Sequence, residues 1–200
     1  MKRHITINIF ILTFMLFLSF CNSTENKTVD NKSNEYTFQN YLHKFKTLNL
    51  PFKFRPQDLN QENLQSIDLI DTLYAKDQLS IYYGMLADTT HFYCLITLLP
   101  GDEFVPILTT YDKKGNIIDS KSILVNGCSG GPCIDYCSST SIIETNFNIF
   151  CTDTVIGPTC DDKDNAIAGT DSIFTNFFKG KINANGKIDL GVETRMKIKK

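Results

Sequence analysis

Four patterns of hydrophobic and polar residues follow one another along the chain, and each predicts a different kind of structure. Residues 5–20 are almost wholly apolar, broken by Thr6, Asn8, Thr13 and Ser19. Residues 22–35 are polar, with Val29 alone as a hydrophobe. Over 37–48, Phe38, Tyr41, Leu42, Phe45 and Leu48 recur at intervals of three and four, the stripe of an amphipathic helix. Pro51 closes it, because the residue before a proline avoids the helical region. Residues 56–76 fit a short helix or a loop. From Leu79 the period becomes two. Leu79, Ile81, Tyr83 and Met85 alternate with their neighbours, as do Phe92, Cys94, Ile96 and Leu98. Further strands are predicted over 103–111, 117–125, 142–150 and 172–182. Pro106 marks its strand as an edge or a bulge, since proline cannot donate to a ladder. After the turn at Asn185-Gly186, Ile188, Leu190, Val192, Thr194, Met196 and Ile198 alternate with polar residues without a break, predicting one strand with one buried face. About seven to nine strands at hairpin spacing behind one helix predict a mainly β fold: an antiparallel meander, as a sandwich or a partly closed barrel, with one N-terminal helix.

The opening segment adds a compartment. Met1-Lys2-Arg3-His4 is a short positive stretch ahead of the apolar run, the layout of a secretory signal. Residues 5–20 make about 24 Å of helix, short of a roughly 30 Å hydrocarbon core, so a permanent membrane span is the weaker reading. The segment ends Leu18-Ser19-Phe20-Cys21, which resembles a bacterial lipobox, with Phe20 where a small residue is usual. The resemblance implies lipidation of Cys21. The polar stretch that follows cannot bury enough surface to order itself and, as a coil, spans roughly 20 Å. The expected organisation is a signal peptide over 1–20, a lipid-anchored flexible tether over 21–35 and a single mostly-β domain over 36–200.

Net charge is −2. Without Lys2 and Arg3 the chain keeps 18 basic against 22 acidic residues, a net −4. That mild acidity argues against a nucleic-acid partner, which normally needs a basic face. Of seven cysteines, six remain if Cys21 carries lipid: Cys94, Cys128, Cys133, Cys137, Cys151 and Cys160. An even number in an exported chain makes all six disulfide candidates, forming two or three bridges of open connectivity, although Cys94 also fits a buried apolar position.

Motifs for chemistry are weak. Gly127-Cys128-Ser129-Gly130-Gly131-Pro132 is similar to the loop around the nucleophile of chymotrypsin-like proteases, but Cys128 stands where that family has Asp, and His91 lies too close in sequence to Ser129. A Gly-rich loop closed by a disulfide explains it better. The acidic run at Asp161-Asp162-Lys163-Asp164-Asn165 lacks the Gly and Glu of an EF-hand. No catalytic residue, metal ligand or cofactor is assigned. A hydrolase would require His91, Asp102, Asp119 or Ser129 to meet in one cleft.

Thr72, Thr89, Thr154 and Ser172 each follow an Asp in triplets similar to the O-glycosylation signal of exported Bacteroidota-type proteins. Together with the segment ending in Cys21, the polar tether, Leu50-Pro51-Phe52-Lys53 and the hairpin from Thr110 through Asp112-Lys113-Lys114-Gly115-Asn116, the layout resembles small Bacteroidota-type envelope lipoproteins. That resemblance implies the cell envelope and no activity: a protein lipid-anchored to a bacterial membrane, the outer one, facing the periplasm or the surface. The expected function is a non-catalytic binding or structural module with a protein or small-molecule partner and no nucleic acid. The alternatives are an extracytoplasmic hydrolase and a β-barrel carrier of a small apolar ligand.

Overall fold

The computed structural model describes residues 36–88, 90–125, 128 and 131–198. The expected signal, Cys21, the tether, Thr89 and Ser129 lie outside the described residues. In chain order the elements are α1 (Phe38–Leu42), β1 (Thr47–Leu48), β2 (Phe52–Phe54), β3 (Gln65–Ser66), β4 (Ile81–Leu86), β5 (Tyr93–Leu99), β6 (Val105–Tyr111), β7 (Ile117–Ser122), β8 (Tyr136–Ile143), β9 (Asn148–Gly157), β10 (Ser172–Ile182), β11 (Ile188–Leu190) and β12 (Thr194–Ile198).

The strands form two sheets. The first runs β1-β4-β5-β6-β7, with β3 also on β4; the second runs β11-β10-β9-β8-β2, with β12 also on β10. Apart from the parallel β1–β4 pair, the ladders are antiparallel. The sheets do not close into a barrel. They face one another as a sandwich, sharing a core in which Cys94, Ile96, Leu98 and Leu108 of the first meet Ile143, Ile149, Cys151 and Phe178 of the second. The mainly β expectation holds and the barrel branch of it does not. A second cluster lies on the outer face of the first sheet. There Phe38, Tyr41, Leu42 and Phe45 pack on Tyr82, Leu95 and Tyr111.

Several sequence expectations are corrected. The helix stops at Leu42, not Leu48. Thr47 and Leu48 leave the helical path to pair with Met85 and Leu86, and strand pairing overrides the continuing three-four stripe. Residues 56–76 contain three 3₁₀ turns and the short β3. The strand expected over 142–150 is the hairpin between β8 and β9, turning at Phe147, whose φ of 64° is left-handed. Pro106 sits near the start of β6, an interior strand of its sheet. In β4 a bulge between Tyr82 and Gly84 sends Met85 to the outer cluster, away from the face of Ile81 and Tyr83. Gly84 is required there, because a Cβ would lie 2.5 Å from the Leu48 side chain.

The largest correction concerns the C-terminus. β10 pairs Gly180 with Leu190 but Phe177 with Thr194. The C-terminal segment therefore carries one residue more than β10 over the same stretch, which is a bulge. A one-residue insertion exchanges the two faces of everything beyond it. Ile188 is buried as expected, whereas Val192, Met196 and Ile198 are exposed, by 89%, 51% and 47%. The single strand expected over 188–198 is two strands of opposite facing.

Candidate functional site

Two places in the molecule concentrate charge and aromatic rings. The first is centred on Asp71, in the 3₁₀ turn Leu69–Leu73 against the outer face of the first sheet. Its carboxylate is fully buried. It accepts hydrogen bonds from the Tyr36 and Tyr82 hydroxyls and from Lys44 Nζ at 2.7 Å, while Lys44 also reaches Asp68 at 2.5 Å. Burial alone would raise the Asp71 pKa, but the donors from Lys44, Tyr36 and Tyr82 hold it below the usual carboxylate range. The same contact, after burial, pushes the Tyr36 and Tyr82 hydroxyls up to about 12. A perturbed carboxylate is a common mark of a functional site. Here each of its partners belongs to the fold, and the arrangement is a closed structural hub.

The second place is open. At the far end of the second sheet, beyond the shared core, the inward face of β9 and β10 forms the floor of a groove of about 550 Å³. Such a volume suits a small molecule. Val155, Ile134 and Pro158 supply apolar walls, and Phe174, Asn176, Glu193 and Arg195 line the other side. The bulge before β12 puts Arg195 here. Its guanidinium stacks 4.0 Å from the centre of the Phe174 ring, and Lys197 Nζ lies 5.5 Å from the same centre. Arg195 forms no ion pair with a described carboxylate.

Beneath the groove runs a buried polar row. Register places Ser139 beside Asp153, Asp153 beside Asn176 and Asn176 beside Arg195. Ser139 and Asp153 are fully buried and Asn176 is 8% exposed. Ser139 Oγ donates to Glu103 at 3.4 Å, so the row reaches a smaller hollow of about 300 Å³ lined by Asp102 and Glu103.

Disulfides brace this end. Cys128 pairs with Cys137 and Cys133 with Cys160. Cys133 and Cys160 themselves line the groove. The loop carrying Cys133 packs so closely on the end of β9 that a Cβ at Gly157 would lie 2.1 Å from the Cys133 carbonyl oxygen. Asp135 N–H donates to the Ile156 carbonyl, fixing the same loop. Two of the six candidate cysteines, Cys94 and Cys151, form no bridge, which corrects the expectation for them. Both sit at inward strand positions of the shared core. Burial pushes both thiols up, Cys151 to about 12, so neither has thiolate reactivity. Cys151 donates to the Ile123 carbonyl at 3.0 Å.

The other candidates are dispersed. His91 is exposed before β5, and Asp102 is exposed past the other end of that strand. Asp119 is a clasp: it accepts from Ser120 N–H at 2.9 Å and from Ile188 N–H of the opposite sheet at 3.0 Å, and those bonds, against the effect of burial, lower its pKa. These three side chains do not meet in one cleft. Asp161 is engaged by its own loop, accepting from the Lys163 and Asn165 N–H groups at 2.8 Å. Among the described residues no group of three or more His, Cys, Asp or Glu side chains converges as a metal site, and no helix is long and apolar enough to cross a membrane. Of the O-glycosylation candidates, Thr72 lies on the 3₁₀ turn with its hydroxyl donated to Leu69 O, Thr154 on the interior strand β9, and Ser172 is buried with its hydroxyl donated to Thr170 O.

No family model, curated protein or solved structure matches the chain. The groove is therefore read from its own chemistry. Sequence reasoning missed it because Phe174 and Asn176 of β10 meet Arg195 of β12 and Glu193 just before it, whose facing depends on a bulge. One signal was present: the inward series Ile149, Cys151, Asp153 places a charge where the alternation calls for a hydrophobe.

Proposed function

We propose that the chain is an exported, lipid-anchored binding module of the bacterial cell envelope, and that the groove at the disulfide-braced end of the second sheet takes a small carboxylated ligand with an apolar or ring-shaped body. The observation that carries the binding half is Arg195, stacked on Phe174 and left without a carboxylate partner among the described residues. A planar guanidinium held by an aromatic ring presents a ready fork to a carboxylate. Lys197 adds a second positive charge over the same ring, Asn176 offers an amide at the floor, and Glu193 on the rim accepts from a hydroxyl or amine of the ligand. The export half rests on the charged-then-apolar opening, the lipobox-like Leu18-Ser19-Phe20-Cys21 and the polar tether. The two disulfides fit an oxidising compartment.

An NMR titration with uronic acids and with short peptides ending in a free carboxylate tests the groove. Amide shifts centred on Phe174, Asn176 and Arg195, lost in Arg195→Ala, are the expected result. Absence of shifts there, or shifts indifferent to that substitution, defeats the groove reading. Intact-mass measurement of the protein from its native membrane tests the anchor: acyl chains on Cys21 and the mass deficit of two disulfides are expected, and the mass of the uncleaved, unmodified chain removes it.

A further inference from the structure

The 3₁₀ turn Leu69–Leu73 has its polarity reversed. Asp71 is fully buried, while Leu69, Ile70 and Leu73 around it are exposed by 83%, 47% and 70%. Leu79, a few residues on, is 74% exposed. A turn selected for solubility alone would point its acid outward and its leucines inward. Here the inward acid is what fixes the outward leucines. Asp71 is held by Tyr36, Tyr82 and Lys44, and its backbone carbonyl accepts from the Tyr74 and Ala75 N–H groups at 2.9 and 2.8 Å. The turn cannot rotate its apolar side chains out of water without breaking that hub.

Tyr36 is the first described residue, and its hydroxyl is bonded to Asp71 in this same turn. Whatever holds the N-terminus is therefore joined to the molecule beside Leu69, Ile70 and Leu73. Fourteen residues, 22–35, separate Cys21 from Tyr36, and as the polar coil expected from their sequence they would span roughly 20 Å, so an anchor at Cys21 would hold this turn within a short reach of the membrane. Lys76 stands exposed three residues beyond Leu73, and a cation near exposed apolar side chains suits the boundary between headgroups and acyl chains.

We infer that Leu69, Ile70 and Leu73 form a membrane-contact face, seated in the interfacial layer of the bilayer that carries the anchor. The inference rests on the lipid-anchored reading. It also sets an orientation, in which the body lies on the membrane by this turn and does not swing at the end of its tether.

The protein contains no tryptophan, so a single one reports its own surroundings. The full lipoprotein carrying Leu73→Trp is reconstituted in vesicles whose acyl chains are brominated, with Val192→Trp, at a position 89% exposed between β11 and β12, as the comparison. Insertion by 5–10 Å, usual for interfacial segments, predicts roughly twofold quenching for Leu73→Trp and none for Val192→Trp. Co-flotation with vesicles but no quenching at position 73 overturns the contact face and leaves the anchor standing. Equal quenching at both positions overturns it as well, since the body then has no preferred face. Failure to co-float removes the anchor and the inference with it. Shielding of the position-73 emission by a co-purifying protein, without bromine quenching, overturns it in favour of a protein partner. Leu69→Ser/Leu73→Ser, with an unchanged melt, must lower the fraction of wild-type body protected at this turn against hydrogen exchange on vesicles; unchanged protection counts against it.

Discussion

The Asp71 hub and the Arg195 groove use the same materials: aromatic rings, a cation and a carboxylate. In the hub the cation, Lys44, lies between Asp68 and Asp71, and tyrosine hydroxyls fill the remaining acceptor capacity. In the groove the cation, Arg195, stacks on a ring and forms no ion pair with the described carboxylates. The difference is one of completion. A charge whose partners are all supplied by its own chain holds the fold together, and a charge left one partner short is available to another molecule. Perturbed titration alone would have pointed to the hub.

That contrast is broken most strongly by Asp71→Ala. It removes the buried acceptor shared by Lys44 and two tyrosine hydroxyls, leaving Lys44 with Asp68 alone, and unfolding free energy should fall by about 4 kcal/mol, measured by urea titration. Ligand shifts at the groove should persist at temperatures where the variant is folded. The pH dependence follows from the lowered pKa of Asp71. The folded state binds this proton less readily than the unfolded state, so the contribution is complete above about pH 4 and is lost as pH falls through the folded value. The gap between wild type and Asp71→Ala should therefore narrow in acid; a gap that stays constant to below about pH 2 contradicts the assignment.

Next in size is the brace. Cys133 and Cys160 are separated by 27 positions, and closing a loop of that length in the unfolded chain is worth about 3.5 kcal/mol. The double substitution to Ser should lower stability by that order and also blur the groove, whereas Asp71→Ala should not blur it. Gly157→Ala, which drives a Cβ against the Cys133 carbonyl, should cost about 1–3 kcal/mol with the disulfides intact.

Deleting Val192 sharpens the comparison further. It removes the extra residue before β12, so β11 and β12 should join in one unbulged ladder along β10 with Arg195 still opposite Asn176 and facing the groove. Ligand shifts should persist with a stability change of about 1 kcal/mol or less, and their loss would contradict this register. The smallest effect on stability belongs to Arg195→Ala, within about 0.5 kcal/mol for an exposed side chain, with the largest effect on ligand shifts. A large loss of stability there would make Arg195 a structural residue and remove the contrast.

Much of this architecture was legible before the structure, and the failures have identifiable physical causes. The period-two runs of β5 and β10 fall where the alternation places them, because each is an interior strand whose faces are set by burial. The helix was over-read because a three-four stripe of hydrophobes does not reveal that Thr47 and Leu48 have a strand waiting for them. The facing of Met85 and of Arg195 was misread for one shared reason. A bulge leaves no trace in the alternation of residue types, yet it reverses every side chain beyond it. The hub was invisible because Tyr36, Lys44, Asp71 and Tyr82 lie on four separate segments, and none of them is unusual in its own neighbourhood. The pairing of Cys133 with Cys160 came only from the fold, while their membership of an oxidised set was visible in the count.

One feature of the strand order bears on life at high local density. Each sheet divides a margin between two short pieces, β1 and β3 along β4, and β11 and β12 along β10. A second copy of the chain would find, on those margins, at most the five residues of β12, with Arg195 and Lys197 among them. Short borders, the longest of them carrying two cations, are poor templates for strand addition. Those two margins are in this way kept from extending, edge to edge, into a second copy of the chain.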